Sequence, residues 1–578
     1  MQRFNLQIFR RFWAIAKTYW FSDEKWKARG LLLLIVLLLL AYTGLSVVLN
    51  NQRGELISAL SAKNESRFWQ TVIIFIGVLV VYAPLLAGYT YLRDRLGLAW
   101  RRWLTTNFVE RYFADRAFYR INQFNPDIDN PDQRIAEDVK NFTQESLTLA
   151  LILSDSVLEI IAFSGVLLGI SRELVLFLVA YAFIGTLATV GIFGQPLVRL
   201  NFEQLKREAN FRFGLVRVRE NAEAIAFYQG EAQESTQVNN RFMAAFDNYK
   251  NLLGWELGLN GITNAYEFIP FILPALVVAP GIFSGDVEVG KVSEAQGAFI
   301  RVFFSLNLIV ARFQSLSAFG AGIDRLYDFA SALGQVEETV GATETAKEPE
   351  ATDIALADKP VISCEGASEL VLKHLTLQTP NYQRTLIEDL SLALGNQSSL
   401  LVVGPSGCGK SSLMRAIAGL WTSGTGTIQR PDLEQLLFLP QKPYMILGNL
   451  RQQLLYPYPN SELDDTQLKV ALEQVNLSDL DERFGGFDGE EEWSDVLSLG
   501  EQQRLSFARV LLHQPQYTIL DEATSALDRD NEKQLYGHLA ATKTAYLSVG
   551  HRQSLEGYHQ TMLRLAEDHS WQLEVLVK

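Results

Sequence analysis

The sequence predicts two folds in series: an α-helical domain that crosses a membrane six times, then an α/β domain built around a glycine-rich loop. Three observations carry this reading. The run "LLLLIVLLLL" (residues 31–40) belongs in lipid, because no charge interrupts it. Five further apolar stretches, each long enough to cross a bilayer as a helix, follow before residue 320. Beyond residue 360, strand-like and helical runs alternate, and "VGPSGCGKSS" (residues 403–412) stands between one of each.

A chain of 578 residues is too long for one ordinary domain. Its 51 Lys and Arg against 65 Asp and Glu leave a net charge of −14. An acidic chain repels a polyphosphate backbone, so nucleic acid is not an expected partner. Two cysteines, Cys364 and Cys408, provide no disulfide framework. Cys408 falls inside the glycine-rich loop, which points to a reducing compartment for that half.

Residues 1–29 mix aromatic and basic side chains, as in "FNLQIFRRFWAIAKTYWF", which suits an interfacial helix lying on the bilayer. Residues 30–333 form the expected six-helix domain with cytoplasmic coupling loops, with spans near 30–49, 71–90, 147–170, 174–193, 259–283 and 297–318. The last two contain Glu267, Arg301 and Arg312, so their ends are weakly defined. Lys and Arg crowd the N-terminal segment and the two long connections, after spans two and four. The positive-inside rule places those parts in the cytoplasm, and an even number of spans returns the chain there. The long connections read as helices continuing the membrane helices, since "REANFRFGLVRVRENAEAIAFY" sets apolar residues at helical spacing. Residues 334–360 are acidic, small and free of aromatics, the composition of a flexible linker. Residues 361–578 make up the α/β domain.

The loop fits G-x-x-x-x-G-K-S through Gly404, Gly409, Lys410 and Ser411, with Pro405, Ser406, Gly407, Cys408 and Ser412 completing it. Its glycines let backbone N–H groups turn inward on phosphate oxygens, and the next helix aims its positive end at them. Lys410 is expected on the β- and γ-phosphates, and the Ser411 hydroxyl on Mg²⁺. The expected ligands are therefore ATP and Mg²⁺. In "YTILDEATSALD" a buried strand ends at Asp521, whose carboxylate can hold the Mg²⁺ shell. Glu522, next to it, can polarise an attacking water as general base.

The stretch "LSLGEQQRLSFARVLLHQPQYTILDEATSALD" resembles the signature-to-D-loop region of ABC ATPases, and the resemblance covers the whole α/β half. It implies an ABC exporter-like membrane domain and a P-loop ABC ATPase domain. By resemblance, Gln441 in "FLPQKPYM" is the Q-loop glutamine that senses Mg²⁺. Ser498 and Gly500 match the signature loop that closes on the γ-phosphate of the opposite subunit. Asp528 matches the D-loop aspartate, and His551 in "LSVGH" the switch histidine on the γ-phosphate. The usual LSGGQ reads "LSLGE" here, so Leu499 and Glu501 depart from the pattern. The adenine-stacking aromatic is not clearly placed; Tyr382 in "TPNYQRT" is a candidate, with a plain turn tyrosine as the alternative.

One phosphate loop and one signature make two half-sites, and six spans are half the usual set. Both imply a dimer, with a second copy or a similar chain. "NPDQRIAEDV" and "RENAEAIAFYQGE" look like cytoplasmic loops of the subfamily D group, which includes acyl-CoA and cobalamin transporters and bacterial SbmA/BacA-like proteins with a fused ATPase domain. The expectation is an ATP-driven transporter, a half-subunit in the lipid bilayer, with an ATP-gated channel or regulator as the rival. The cargo is left open among cobalamin, peptide, acyl or other polar and amphipathic compounds. Asp155, Glu159 and Glu267 are candidates for lining the path, against pairing with Arg301 or Arg312. With no long extension before span one and no C-terminal "SKL", a bacterial plasma (inner) membrane is expected.

Overall fold

A computed structural model describes residues 6–124, 128, 130–334, 360–458, 462–550 and 552–576. The chain divides into two compact units, Met1–Gly341 and Ala342–Lys578. Most of the expected linker, residues 335–359, lies outside the described residues.

The first unit is helical. Its elements are α1 (Leu6–Trp20), α2 (Lys25–Ser61), α3 (Glu65–Phe113), α4 (Ala117–Phe124), α5 (Pro131–Gln133), α6 (Val139–Ile170), α7 (Arg172–Thr189), α8 (Gln195–Glu220), α9 (Ala222–Tyr228), α10 (Glu231–Phe283), α11 (Gly290–Ala311) and α12 (Phe313–Ala332). Within the N-terminal segment, residues 6–20 form the helix α1. It buries Ile15, Ala16 and Tyr19 and leaves Phe9 and Trp13 outside. Arg11 ties it to Asp324 of α12 at 2.7 Å.

In the most apolar window of α2 only 28% of residues are buried, and in that of α3 only 6%. Apolar faces so open are stable only in an apolar surrounding, and a helix satisfies its own backbone there. Among the described residues, five helices are long and apolar enough to cross a membrane, starting at Lys25, Glu65, Pro131, Arg172 and Glu231. The expected spans at 147–170 and 259–283 end with their helices, at Ile170 and Phe283. The backbone of α10 runs through Pro270, Pro274 and Pro280 without ending.

The sixth expected span differs. Residues 297–318 are not one helix, because α11 stops at Ala311 and Arg312 takes φ −103°, ψ 8° before α12 begins. Ser293, Glu294, Gln296, Arg301 and Asn307 dilute the apolar character of α11. Its first half lies against α2: a Cβ on Gly290 would sit 1.9 Å from the Gly54 carbonyl oxygen, so only glycine allows that approach.

The second unit holds two sheets. Strands β1 (Ser363–Gly366), β2 (Leu370–Gln378) and β3 (Thr385–Leu394) precede β4 (Ser399–Val403), and α13 (Lys410–Ile417) follows the loop. Then come β5 (Gly424–Arg430), β6 (Leu436–Leu439), α14 (Leu450–Leu455), α15 (Asp465–Gln474), α16 (Leu480–Arg483), α17 (Trp493–Val496), α18 (Leu499–His513), β7 (Tyr517–Asp521), α19 (Arg529–Ala541), β8 (Ala545–Val549), β9 (Thr561–Leu565) and β10 (Trp571–Val575). The small sheet has the order β1-β5-β2-β3. The large one runs β10-β9-β4-β8-β7-β6, parallel except for the edge strand β10. In register, Val402 of β4 and Asp521 of β7 both face Val549 of β8. The three strands therefore deliver their following loops to one carboxyl edge, the usual ligand edge of a parallel sheet.

Candidate active site

The loop after β4 is built for close backbone approach. Gly407 and Gly409 take φ of 81° and 104°, the left-handed region that favours glycine. A Cβ at Gly409 would lie 3.1 Å from the Leu386 Cβ of β3. Leu413 and Ile417 of α13 are fully buried, each contributing roughly 1.5–3 kcal/mol, and they fix the helix whose N-terminus closes the loop. Lys410 is buried at that N-terminus, and its Nζ donates to the carbonyls of Gly404 (2.8 Å) and Pro405 (2.9 Å). The ammonium thus crosses the mouth of the loop, where a polyphosphate can take over its hydrogen bonds.

Two carboxylates arrive from β7. The Ser411 hydroxyl donates to Asp521 Oδ1 at 3.3 Å. Burial pushes the Asp521 carboxyl up from its ordinary value; the Ser411 hydrogen bond opposes this, and the neighbouring Glu522 charge adds to it. Glu522 has φ 49°, a left-handed conformation rare for its type and a mark of backbone strain at a working site. Its backbone N–H donates to the Val549 carbonyl at 3.1 Å, which locks the turn to β8. The Gln441 side-chain amide, from the loop after β6, donates to Glu522 Oε2 at 3.1 Å. Loop, lysine, hydroxyl, two carboxylates and one amide therefore meet at the sheet edge.

Residues 15–283 match the family model described as ABC transporter transmembrane region 2, and residues 387–525 match the ABC transporter model. An uncharacterized ABC transporter ATP-binding protein of Synechocystis is 44% identical, covering 95% of this chain and 82% of that protein. The chloroplastic ABC transporter D family member 2 of Arabidopsis thaliana is 38% identical over 98% of this chain and 88% of its own. The human lysosomal cobalamin transporter ABCD4 is 32% identical over 99% and 97%. The chain belongs to the ABC transporters. It is a subfamily D half-transporter, with a membrane-spanning region and an ATP-binding, ATP-hydrolysing domain fused in one polypeptide.

The remaining expected residues of this ABC domain fall in different places. Ser498 caps α18, and Gly500 lies in its first turn, where a Cβ would be 3.3 Å from the Ala526 carbonyl. Among the described residues no hydrogen bond joins them to the phosphate loop. The variant residue Glu501 has a structural account. It completes a capping box with Ser498, accepting from the Ser498 N–H (2.9 Å) and hydroxyl (2.8 Å). Its second oxygen takes Arg483 Nη1 at 2.8 Å. Asp528 caps α19, accepting from the Asn531 N–H at 2.8 Å, and this bond holds its carboxyl below the usual range. Tyr382 sits in the β2–β3 turn with φ 59°, and its hydroxyl donates to the Pro360 carbonyl at 3.2 Å. That strand pair leads into Leu386, which abuts Gly409. His551 lies outside the described residues; Gly550, before it, donates to the Val402 carbonyl at 3.4 Å.

Sequence reasoning passed over Gln503 and Arg509. Gln503 is fully buried. Its amide donates to the Gln441 carbonyl (2.9 Å) and the Ser525 hydroxyl (3.1 Å), and its oxygen accepts from the Ala526 N–H (3.0 Å). One side chain thereby ties the signature helix to the Gln441 loop and to the segment after Glu522. Arg509, two turns on, donates to the carbonyls of Gln453 (2.7 Å) and Tyr444 (3.1 Å), and burial lowers its pKa to about 10. The usable signal was the period: Gln502, Gln503, Ser506 and Arg509 are polar residues on the buried side of α18.

In the membrane unit the three acids part ways. Glu159 is paired with Arg301 at 2.5 Å and accepts from Ser305 at 2.8 Å, the structural pairing that sequence left open. Asp155 lies beside Tyr42 and Thr43, with one carboxylate oxygen buried and without a hydrogen bond. Glu267 lines a cavity.

Proposed function

We propose that two copies of this chain form the working transporter, with each ATP held between the phosphate loop of one copy and Ser498 and Gly500 of the other. The meeting of Ser411–Asp521 and Gln441–Glu522 beside the phosphate loop supports ATP use, and the sharing is carried by Ser498 and Gly500, which among the described residues make no hydrogen bond to that loop within one chain. Residues 404–412 hold the triphosphate, and Tyr382 stacks on the adenine. Mg²⁺, which takes few protein oxygens and keeps waters and phosphates, fits the Ser411 hydroxyl and Asp521 carboxylate, with Gln441 beside them. When bound, it neutralises phosphate charge. Glu522 orients water and accepts its proton; His551 contacts the γ-phosphate, and Asp528 stands at the interface between copies.

In this reading α11 and α12 supply the sixth crossing of each copy. Residues 1–29, 30–333, 334–360 and 361–578 act as interfacial helix, membrane domain, linker and ATPase domain. The ATPase domain lies in the cytoplasm of a bacterial cell, under its plasma (inner) membrane. The human relative's printed cargo, cobalamin, is one member of the polar or amphipathic class that the membrane domain is proposed to move.

Shared sites make a mixed-dimer test decisive. Lys410→Ala and Gly500→Asp chains, each alone, lose ATP-driven closure. Co-assembled, they form one site lacking both elements and one intact site. Recovery of closure in mixed dimers is expected, read by fluorophores on the two ATPase domains. If mixed dimers bind and close no better than either parent, the sites are not shared.

A further inference from the structure

We propose that the cavity around Glu267 binds an organic cation carried on an apolar body. The cavity measures about 360 Å³ and lies between α7, the π turn at Val190–Gly194, α8, α10 and α11. Its wall is aromatic, with Phe193, Tyr266, Phe303 and Phe304, and its polar side includes Asn307 and Glu267. Among the described residues no Lys, Arg or His lines it.

Charge accounting within the membrane unit singles out Glu267. Glu159 is balanced by Arg301, and Asp155 lies outside this cavity, beside two hydroxyls. Among the described residues no hydrogen bond or ion pair reaches the Glu267 carboxylate. An acid on a membrane-spanning helix is costly and faces a partner or a cavity. Here it lines the cavity, where an entering cation can supply the balancing charge.

The rings are set in place beforehand. Tyr266 rests on Gly185, where a Cβ would fall 2.1 Å from the ring, and its hydroxyl donates to the Tyr181 carbonyl at 3.1 Å. Tyr266 also stacks on Tyr181 at 4.5 Å and meets Phe303 at 4.9 Å. Phe193 packs on Gly258 and belongs to the π turn, a helix irregularity frequent at binding sites. Fixed aromatic faces attract cations, and they spare the ligand the cost of ordering the wall. An ammonium or phosphonium centre with apolar substituents satisfies both the carboxylate and the rings; an anion satisfies neither.

The proposal rests on the transporter reading only in naming this ligand as cargo. The test therefore measures binding without nucleotide. The full chain in nanodiscs is dialysed against tetraphenylphosphonium and against tetraphenylborate, ions of matched shape and opposite charge, with empty nanodiscs subtracted. Saturable binding of the phosphonium alone is expected. Glu267→Gln should weaken it by about tenfold or more, since a close charge pair is lost. Glu267→Lys should reverse the preference toward the borate. In the unaltered chain, phosphonium should protect Glu267 from dicyclohexylcarbodiimide, read by peptide mass. Equal affinity in wild type and Glu267→Gln, equal binding of both ions, or labelling indifferent to phosphonium would each overturn the site. A cation that binds here but is not accumulated with ATP leaves the site standing and removes only its role as cargo.

Discussion

Glu159 in the membrane unit and Glu522 in the nucleotide unit are both half-buried carboxylates met by a side chain far away in sequence. Glu159 receives a guanidinium, from Arg301, and a hydroxyl, from Ser305. Glu522 receives a neutral amide, from Gln441, while its neighbour Asp521 receives a neutral hydroxyl from Ser411. A guanidinium pair balances the charge within the protein. A neutral donor orients a carboxylate without itself supplying a countercharge. The first device joins two helices of the membrane unit, α6 and α11, and the second holds two carboxylates at the sheet edge. Glu267 differs from both: among the described residues no hydrogen bond or ion pair reaches its carboxylate, and it lines a cavity.

The sharpest way to break this comparison is to remove the proposed base, Glu522. Glu522→Gln keeps the size of the side chain and abolishes its basicity. ATP turnover should fall by about 10²–10⁴-fold, the usual contribution of general-base catalysis, while ATP binding persists. Single-turnover hydrolysis beside nucleotide binding reads both, and near-normal turnover would remove Glu522 from the role.

The next effect concerns how the neutral donors are held. Gln503→Leu leaves the Gln441 carbonyl and the Ala526 N–H without their buried partner. About 2–3 kcal/mol of local stability should be lost. Hydrogen exchange at the Ala526 amide should quicken accordingly; unchanged protection would show that Gln503 does not tie these segments.

A smaller effect tests the balanced pair. Arg301→Met strands Glu159, whose side chain is only 14% exposed. A destabilisation of about 1–2 kcal/mol is expected, and adding Glu159→Gln should restore most of it. Thermal unfolding of the single and double variants measures the coupling, and additive losses would show that the pair carries none.

The smallest effect lies at the signature helix. Burial raises the Glu501 carboxyl, but the Arg483 guanidinium and the Ser498 N–H and hydroxyl outweigh it and hold it below its ordinary value. A depressed carboxylate stabilises the fold above the unfolded value of 4.5 and loses that contribution as pH falls through the lower folded value. Glu501→Gln preserves the capping box and removes the ion pair, at a cost of about 0.5 kcal/mol at neutral pH. The gap from wild type should close in acid below the folded value. A gap that persists there would assign the difference to packing instead.

The nucleotide site was legible because its parts are local. A phosphate loop needs consecutive backbone N–H groups and glycines at fixed places, so residues 403–412 carry it in one stretch. Asp521 and Glu522 were legible because a strand end puts neighbouring residues at a sheet edge, and the parallel order β4-β8-β7 then brought that edge to the loop. Likewise, the length and apolarity of α2, α3 and α10 announced membrane helices without any knowledge of packing.

Sequence alone determined the helical and α/β halves and the family, since each depends on periodicity or on contiguous residues. Tertiary structure decided which acid is balanced. Glu159 meets Arg301 across 142 positions of sequence, Gln503 reaches Gln441 across 62, and Glu267 is left facing a cavity. It also decided that α11 ends at Ala311 rather than continuing through the expected 297–318. The physical reason is register. Helical spacing fixes the face on which a side chain lies, but the slide and rotation of one helix against another, set by contacts such as Gly54 on Gly290, choose the partner it meets.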